Sequence, residues 1–494
     1  MRKLLMMLMA AMLVACQTET KDSENANPYK QYTEGLPFEM PEVKAPVFPD
    51  NIVLISDFGA VGNGQQLCTE AFAKAIEDLT GKGGGKLIVP RGVWYTGPIE
   101  LKSNINLHLE KGAVILFAPD ENLYKLIKTS FEGLDTRRCQ SPLSANGATN
   151  IAITGDGVID GSGEYWRPLK REKVTDAQWK KFTASGGVLK NEKLWYPSEG
   201  YAQGADAADM NVPTGERSEE DWNAIKRFLR PVMVSLVECK NVLLQGVIFQ
   251  NSPAWNIHPL MCENIIIENV LARNPAYAQN GDALDLESCK NALIINSQFD
   301  AGDDGICIKS GKDADGRRRG RPCENVVVDG CTVFAGHGGF VVGSEMSGGV
   351  RNIKVTNCQF VGTDVGLRFK STRGRGGIVE NIFIDGVSMC NIKNDALIFN
   401  MYYGGKSVSE ALADGDKPNN IDMKPVDETT PIFRKIDIRN VVCNGAGRAM
   451  TFNGLPEMPI DGINLENIEI VADNGDEFNN SKNITKKNVN IIVR

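Results

Sequence analysis

The sequence predicts an all-β protein, a single-stranded right-handed parallel β-helix, and three observations carry that reading. Short apolar strands recur along the chain. Many begin with Asn: Asn150 (NIAITGDGVIDG), Asn241 (NVLLQGVIF), Asn264 (NIIIENVLA), Asn291 (NALIINSQF), Asn325 (NVVVDGCTVF), Asn352 (NIKVTNCQF) and Asn381 (NIFIDGVSM). From Asn241 onward the starts lie 23, 27, 34, 27 and 29 residues apart, a period typical of solenoids. Each copy alternates apolar and polar residues, as a strand with one buried face does. Two further copies read KIDIRNVVC from Lys435 and INLENIEIV from Ile463. No amphipathic helical pattern separates the copies, which argues against βαβ crossovers.

The chain begins MRKLLMMLMAAMLVAC, a basic start followed by an apolar run too short to span a bilayer. Residues 1–16 are therefore read as a signal peptide. Its end, Leu13-Val14-Ala15-Cys16, resembles the bacterial lipobox, with Cys16 as the lipidation site. The expectation is an exported protein, lipid-anchored in the periplasm or at the outer-membrane surface, and touching the membrane only through that anchor. Residues 17–45 are polar and Pro-containing and read as a flexible tether. A length of 494 residues would ordinarily suggest two or more domains. A solenoid grows in one dimension, so residues 46–494 are assigned to one β-helix domain, expected to act as a monomer.

Residues 162–230 interrupt the repeats as a polar insertion. It contains Tyr165-Trp166-Arg167-Pro168 and Leu194-Trp195-Tyr196-Pro197. A long loop with aromatic and basic residues suggests a wall at one end of a cleft.

The recurring Asn is read structurally. At a bend it tolerates left-handed backbone angles, and its amide can bond the equivalent residue one coil away. Cys239, Cys262, Cys289, Cys307, Cys331, Cys358 and Cys390 sit in or beside strands, where cysteine packs as a small hydrophobe. No tight CxxC pair suggests zinc. Eleven cysteines follow Cys16, so at least one stays free, with room for one or two disulfides. His108 and His258 are also read as structural.

The net charge of −8 argues against nucleic acid as a partner. Locally the balance differs. Segment 309–321 holds six Lys/Arg against two Asp, and segment 368–375 holds four Lys/Arg and no acid, +4 each. Two basic segments beside an acidic centre suggest a cleft for an anionic substrate.

That centre comprises Asp282, the adjacent Asp303 and Asp304, and His337 between Gly336 and Gly338. Asp282 precedes Asp303 by 21 positions, about one coil, so the three would stack together. Cleaving a glycosidic bond needs an acid for the leaving oxygen and a base or nucleophile for the anomeric carbon. Crowding of Asp303 against Asp304 should raise one pKa, as a general acid requires. If water attacks between the groups, the carboxyls should stand about 6.5–9.5 Å apart.

With these residues in place, the chain resembles glycoside hydrolase family 28, the polygalacturonases. The family pattern Asn-x-Asp, Asp-Asp, Gly-His-Gly, Arg-x-Lys is matched in order by Asn280/Asp282, Asp303/Asp304, Gly336-His337-Gly338 and Arg368/Lys370. Asp57-Phe58-Gly59-Ala60-Val61-Gly62 resembles the opening of many pectin-active β-helices. The resemblance spans roughly residues 50–470. It implies a pectin-lyase-like solenoid and an inverting, cofactor-free and metal-free hydrolase of α-1,4-linked galacturonic acid in pectic polysaccharide or oligogalacturonides. By the same resemblance Asp303 is the general acid, Asp282 and Asp304 activate water, and His337 supports the acid. Arg368 and Lys370 would hold the substrate carboxylate, Asn280 a sugar, and Tyr403, preferred over Tyr402 by spacing, would touch substrate. Bacterial relatives with long insertions look exo-acting. The competing readings are a hydrolase of rhamnogalacturonan or xylogalacturonan, a pectate lyase, and a non-catalytic carbohydrate-binding β-helix.

Overall fold

The computed structural model describes residues 27–209, 211–404 and 423–494. The signal peptide, Cys16 and the first part of the expected tether lie outside the described residues.

Successive copies of the repeat pair in parallel and in order. Lys240–Gln245 pairs with Glu263–Glu268, which pairs with Lys290–Ile295, then Cys323–Asp329 and Val350–Val361. Among the described residues twenty-eight strands join in this way into one wound sheet. It is the parallel β-helix the period predicts, with the right-handed crossover that parallel strands adopt. Side chains at equivalent positions stack into internal columns. Val242, Ile265, Ala292, Val326 and Ile353 are consecutive partners in register, and all belong to one continuous buried core.

The Asn ladder forms as expected. The Asn241 amide donates to Asn150 Oδ1 at 2.9 Å, Asn264 to Asn241 at 3.1 Å, Asn291 to Asn264 at 3.2 Å and Asn325 to Asn291 at 3.1 Å. Each has φ between 55° and 59°, the left-handed bend at which Asn is tolerated. Five positions later the chain bends again, at Gly246, Asn269, Asn296, Gly330 and Asn357, all with positive φ. The two bends bracket one strand of each coil.

A helix, Thr69–Gly81, packs its apolar face against the first coils. Ala71, Phe72, Ala75, Ile76 and Leu79, at the spacing of one helical face, join the same core as the strands. The eleven cysteines from Cys68 to Cys443 are all free, and all but Cys390 are buried. They serve as small apolar core residues, and no disulfide forms among the described residues. His258 is buried against Glu287 at 2.9 Å, and His108 bonds the Thr154 hydroxyl at 2.8 Å, so both are structural.

Two expectations are corrected. Residues 27–45 are not a flexible tether. Tyr29 and Val43 are buried, with Tyr32, Leu36 and Met40 alongside, on the outer side chains Leu243, Ile266, Leu293 and Val327. The Tyr29 hydroxyl donates to Glu268 Oε2 at 2.8 Å. Those outer residues are apolar, and covering each removes aliphatic surface from water, roughly 1.5–3 kcal/mol for a full side chain. The segment is a strap along the outside of the solenoid.

The insertion at 162–230 is also more than a polar loop. It folds into helices Asp176–Ala184, Glu199–Asp206 and Glu219–Ala224 and a small antiparallel sheet. Trp166, Tyr196, Tyr201, Ile225, Phe228 and Leu229 form its own core, shared with Tyr124 and Cys139. Its aromatics therefore face inward. Next to it an antiparallel hairpin, Leu126–Phe131 with Leu134–Cys139, projects over the face that carries the site.

Candidate active site

Four consecutive strands carry the site: Leu284–Glu287, Asp304–Lys309, Gly338–Val342 and Leu367–Lys370. Leu284 is in register with Ile306, Asp304 with Gly338, and Val341 with Arg368. Residues spread over ninety positions thus line up on four successive rungs, each about 4.8 Å from the next. Asp282, Asp303 and Asp304 bring one carboxyl oxygen each within 4.8 Å of the others. This is shorter than the 6.5–9.5 Å expected for two carboxyls facing each other across a sugar. The three stand on one wall, on adjacent coils, so the coil spacing sets their distance.

Three charges cannot share this space uncompensated. Two unit charges 4.8 Å apart repel by roughly 3.5 kcal/mol at an effective dielectric of about 20, or between two and three pKa units. Each acid meets a different neighbour. Asp304 is buried, which alone would raise its pKa, but Lys370 Nζ at 2.6 Å and Arg368 Nη1 at 3.2 Å hold it well below the usual carboxylate range. Burial opposes ionisation of Asp303 too, yet His337 Nδ1, 3.0 Å from its Oδ1, keeps it below the ordinary value. Asp282 is pushed well above that value, first by burial and then by the charges of Asp285 and Asp303. Lys309, whose charge opposes this rise, is already bound to Glu345 at 2.8 Å and lies 3.5 Å from Asp285. Neither member of the Asp303–Asp304 pair carries the raised pKa expected of it, because His337 and the Arg368–Lys370 pair favour their charged forms; the raised carboxyls are Asp282 and its neighbour Asp285.

The glycines around His337 are needed. Gly336 has φ 91°, and a Cβ there would lie 2.6 Å from the Asp303 carbonyl oxygen. A Cβ on Gly338 would meet Val341 at 2.5 Å. His337 Nε2 faces Lys173 of the insertion at 3.4 Å and Asp364 at 3.8 Å.

Asn280 lines the same cavity, and its Oδ1 accepts from Arg230 at 2.7 Å and Asn211 at 3.3 Å. Tyr403 lies over Lys370 and Arg368, 4.9 and 5.8 Å from its ring centre. Tyr402 turns instead toward Arg373. All eight residues read from the sequence thus meet at one place.

The two basic segments are a different matter. Arg373 is bidentate to Glu457 at 2.5 and 2.9 Å, Arg375 bonds Asp313 at 2.5 Å, and Arg319 bonds Glu287 at 2.8 Å. Acids outside the trio occupy these three cations, whereas Arg368 and Lys370 are bonded to Asp304 of the trio itself and stand beside the carboxyls. Lys309, the first residue of segment 309–321, lines the cavity with the three aspartates, as do Glu345, Trp255 and Glu132, which sequence reading missed. Glu345 is held at about 2, against its burial, chiefly by Lys309.

A β-helix whose outer wall carries an acidic trio, a histidine and an anion-binding pair defines a glycoside hydrolase. The chain belongs to the family Glycosyl hydrolases family 28, whose model matches residues 222–490. It is similar to a probable polygalacturonase of Vitis vinifera, 29% identical over 84% of this chain and 73% of that one. An exo-poly-alpha-D-galacturonosidase of Dickeya chrysanthemi is 26% identical over 87% of this chain and 70% of its own. A hyperthermoactive exopolygalacturonase from Thermotoga maritima superposes with a TM-score of 0.74 at 33% identity. That match covers 94% of this chain and 96% of the other.

Proposed function

We propose that this protein hydrolyses α-1,4-linked galacturonic acid in pectin, with inversion, releasing products from the chain end. The observation that carries the reading is the placement of Arg368 and Lys370, both bonded to Asp304 and set in the wall that holds Asp303 and Asp282. A uronate carboxylate arriving there meets two fixed cations one rung from the acids. Asp303 is the general acid. Its side chain keeps 19% exposure, while Asp304 keeps 1%, so it can reach a leaving oxygen. Two oxygens at most 4.8 Å apart can both hold one water at about 2.8 Å, which suits Asp282 and Asp304 to activating the nucleophile.

Burial disfavours the charged form of Asp282, whereas His337 favours that of Asp303, so Asp303 gains a proton before it acts as the acid. Substrate binding supplies the drive. A carboxylate shared with Arg368 and Lys370 offsets the cationic field that keeps Asp303 and Asp304 ionised, which raises both pKa values. The proton then moves within the trio, which titrates as a unit.

Chain-end attack is supported by the insertion and hairpin, which reach the site through Lys173, Asn211 and Glu132. Two of the similar proteins are named as exo-acting. The test is viscosity against reducing ends on polygalacturonate. Slow loss of viscosity with early release of mono- or digalacturonate is expected. A rapid fall in viscosity with few new ends would overturn the chain-end reading.

We further propose that the protein is exported and held on a membrane by lipid at Cys16. The Leu13–Cys16 sequence supports this.

A further inference from the structure

We propose that Glu132 reads the free hydroxyl that marks the end of the substrate chain, and thereby sets end specificity; this rests on the chain-end hydrolysis proposed above. Glu132 and Gly133 form the two-residue tip of the hairpin, with φ of 50° and 72°. Both left-handed positions belong to the turn that favours Asn-Gly or Asp-Gly. A longer side chain at the first of them is strained, and such strain is kept where the surroundings hold it in place.

The surroundings do hold it. The Gly133 carbonyl accepts the Lys312 N–H at 3.0 Å, in the loop that follows the Asp304 strand. Phe131 packs on Trp255 with ring centres 4.8 Å apart, and the Arg138 guanidinium covers Phe131 at 4.0 Å.

The carboxyl points into the catalytic cavity. Glu132 is 5% exposed and lines that cavity with Asn280, Asp282, Asp303 and Tyr403. Its Oε1 accepts the Asn211 amide at 2.6 Å. Its Oε2 is buried and has no hydrogen-bond partner among the described residues. A buried, unpartnered acceptor beside a reacting centre calls for a donor from the ligand.

The linkage says which donor. In a 1,4-linked chain the interior O4 carries no hydrogen, while the non-reducing terminal sugar keeps a 4-hydroxyl. Burial pushes the Glu132 carboxyl up, against the Asn211 amide, Lys312 and Arg138, which favour its charged form; in that form the unpartnered Oε2 accepts from the terminal hydroxyl and finds no proton on a glycosidic oxygen. A site built to bond a hydroxyl rejects the analogue that lacks it.

The full chain should be assayed on trigalacturonate and on the same trimer with a 4-deoxy-4,5-unsaturated non-reducing end. Wild type should prefer the saturated trimer by at least about a hundredfold in kcat/KM. Glu132→Gln keeps the shape. Asn211 still bonds its carbonyl, so the atom facing the cavity becomes a donor, and the preference should collapse to below about tenfold. If that variant does not fold, Asn211→Ala, which frees the carboxyl to swing, should show the same collapse. A wild type without the preference overturns the proposal. So does a variant that keeps it at unchanged Tm, or a preference that follows reduction of the C1 end. Random internal cleavage by wild type defeats the chain-end reading itself. End cleavage with a preference that Glu132→Gln leaves intact defeats only Glu132.

Discussion

His337 and Asp303 are joined twice. The imidazole Nδ1 lies 3.0 Å from Asp303 Oδ1, and the His337 backbone N–H donates to the Asp303 carbonyl at 2.6 Å. The second bond passes beside Gly336, where any side chain would collide with the same carbonyl. Backbone and ring together fix the Asp303 carboxyl on the rim of the cavity, while Asp282 and Asp304 lie beneath.

Asp303→Asn should keep the fold, since the amide fills the same space and the backbone bond to His337 remains. Turnover on polygalacturonate should fall by at least about a hundredfold, the scale of general acid catalysis. A variant that turns over at nearly the wild-type rate would remove Asp303 from that role.

Asp282 should cost stability as the pH rises. Its folded pKa is raised by burial and by Asp285 and Asp303. In such a case the unfolded chain ionises freely near pH 4, and the folded protein cannot follow. The stabilisation is full below the unfolded pKa and is lost as pH rises through the folded value, by up to about 1.4 kcal/mol per pH unit. Asp282→Asn never ionises. Its Tm should match wild type near pH 4 and exceed it by at least about 2 °C at pH 8, with activity lost. Melting curves that run parallel at both pH values would show Asp282 ionised at little cost.

The site was legible because its chemistry lies in residue types at one-coil spacing, and register alone brings Asp282, Asp304 and Arg368 to one wall. The solenoid was legible because its Asn bends repeat at one position of each coil. The second bend was not, because Gly and Asn share it and hide the period. The fate of the basic segments was unreadable for another reason. Arg373 finds Glu457 at a separation of 84 residues, and nothing local announces such a partner. The rise at Asp282 depended likewise on Lys309 being shared with Asp285 and Glu345. The strap left a clue in the strands it covers. VLL after Asn241, III after Asn264 and VVV after Asn325 put an apolar residue on the outer face of each coil, and an outer apolar column calls for a cover.

Cys16→Ser should move the protein from the membrane fraction to the soluble fraction of fractionated cells, because acyl chains would supply the anchoring. An unchanged membrane fraction would refute lipidation at this position.

The strap should open without unfolding the solenoid. Its hold on the coils is a column of apolar contacts and one charged hydrogen bond, Tyr29 to Glu268. Glu268 also accepts from Gln245 at 2.7 Å, so removing Tyr29 leaves no stranded carboxylate. The core inside the strands does not include the strap. Tyr29→Ala removes the ring and the bond together, about 3–5 kcal/mol for a large buried side chain, all from one local unit. Limited proteolysis should then cut within residues 27–45 at least about tenfold faster than in wild type, as expected when local opening governs cleavage. Activity on trigalacturonate should hold, since the site lies on strands with their own core. Tyr29→Phe, which keeps the ring, should fall between. A Tyr29→Ala protein whose strap resists protease like wild type would show that the remaining contacts suffice. One that loses activity with its strap would show that the cover also steadies the catalytic wall.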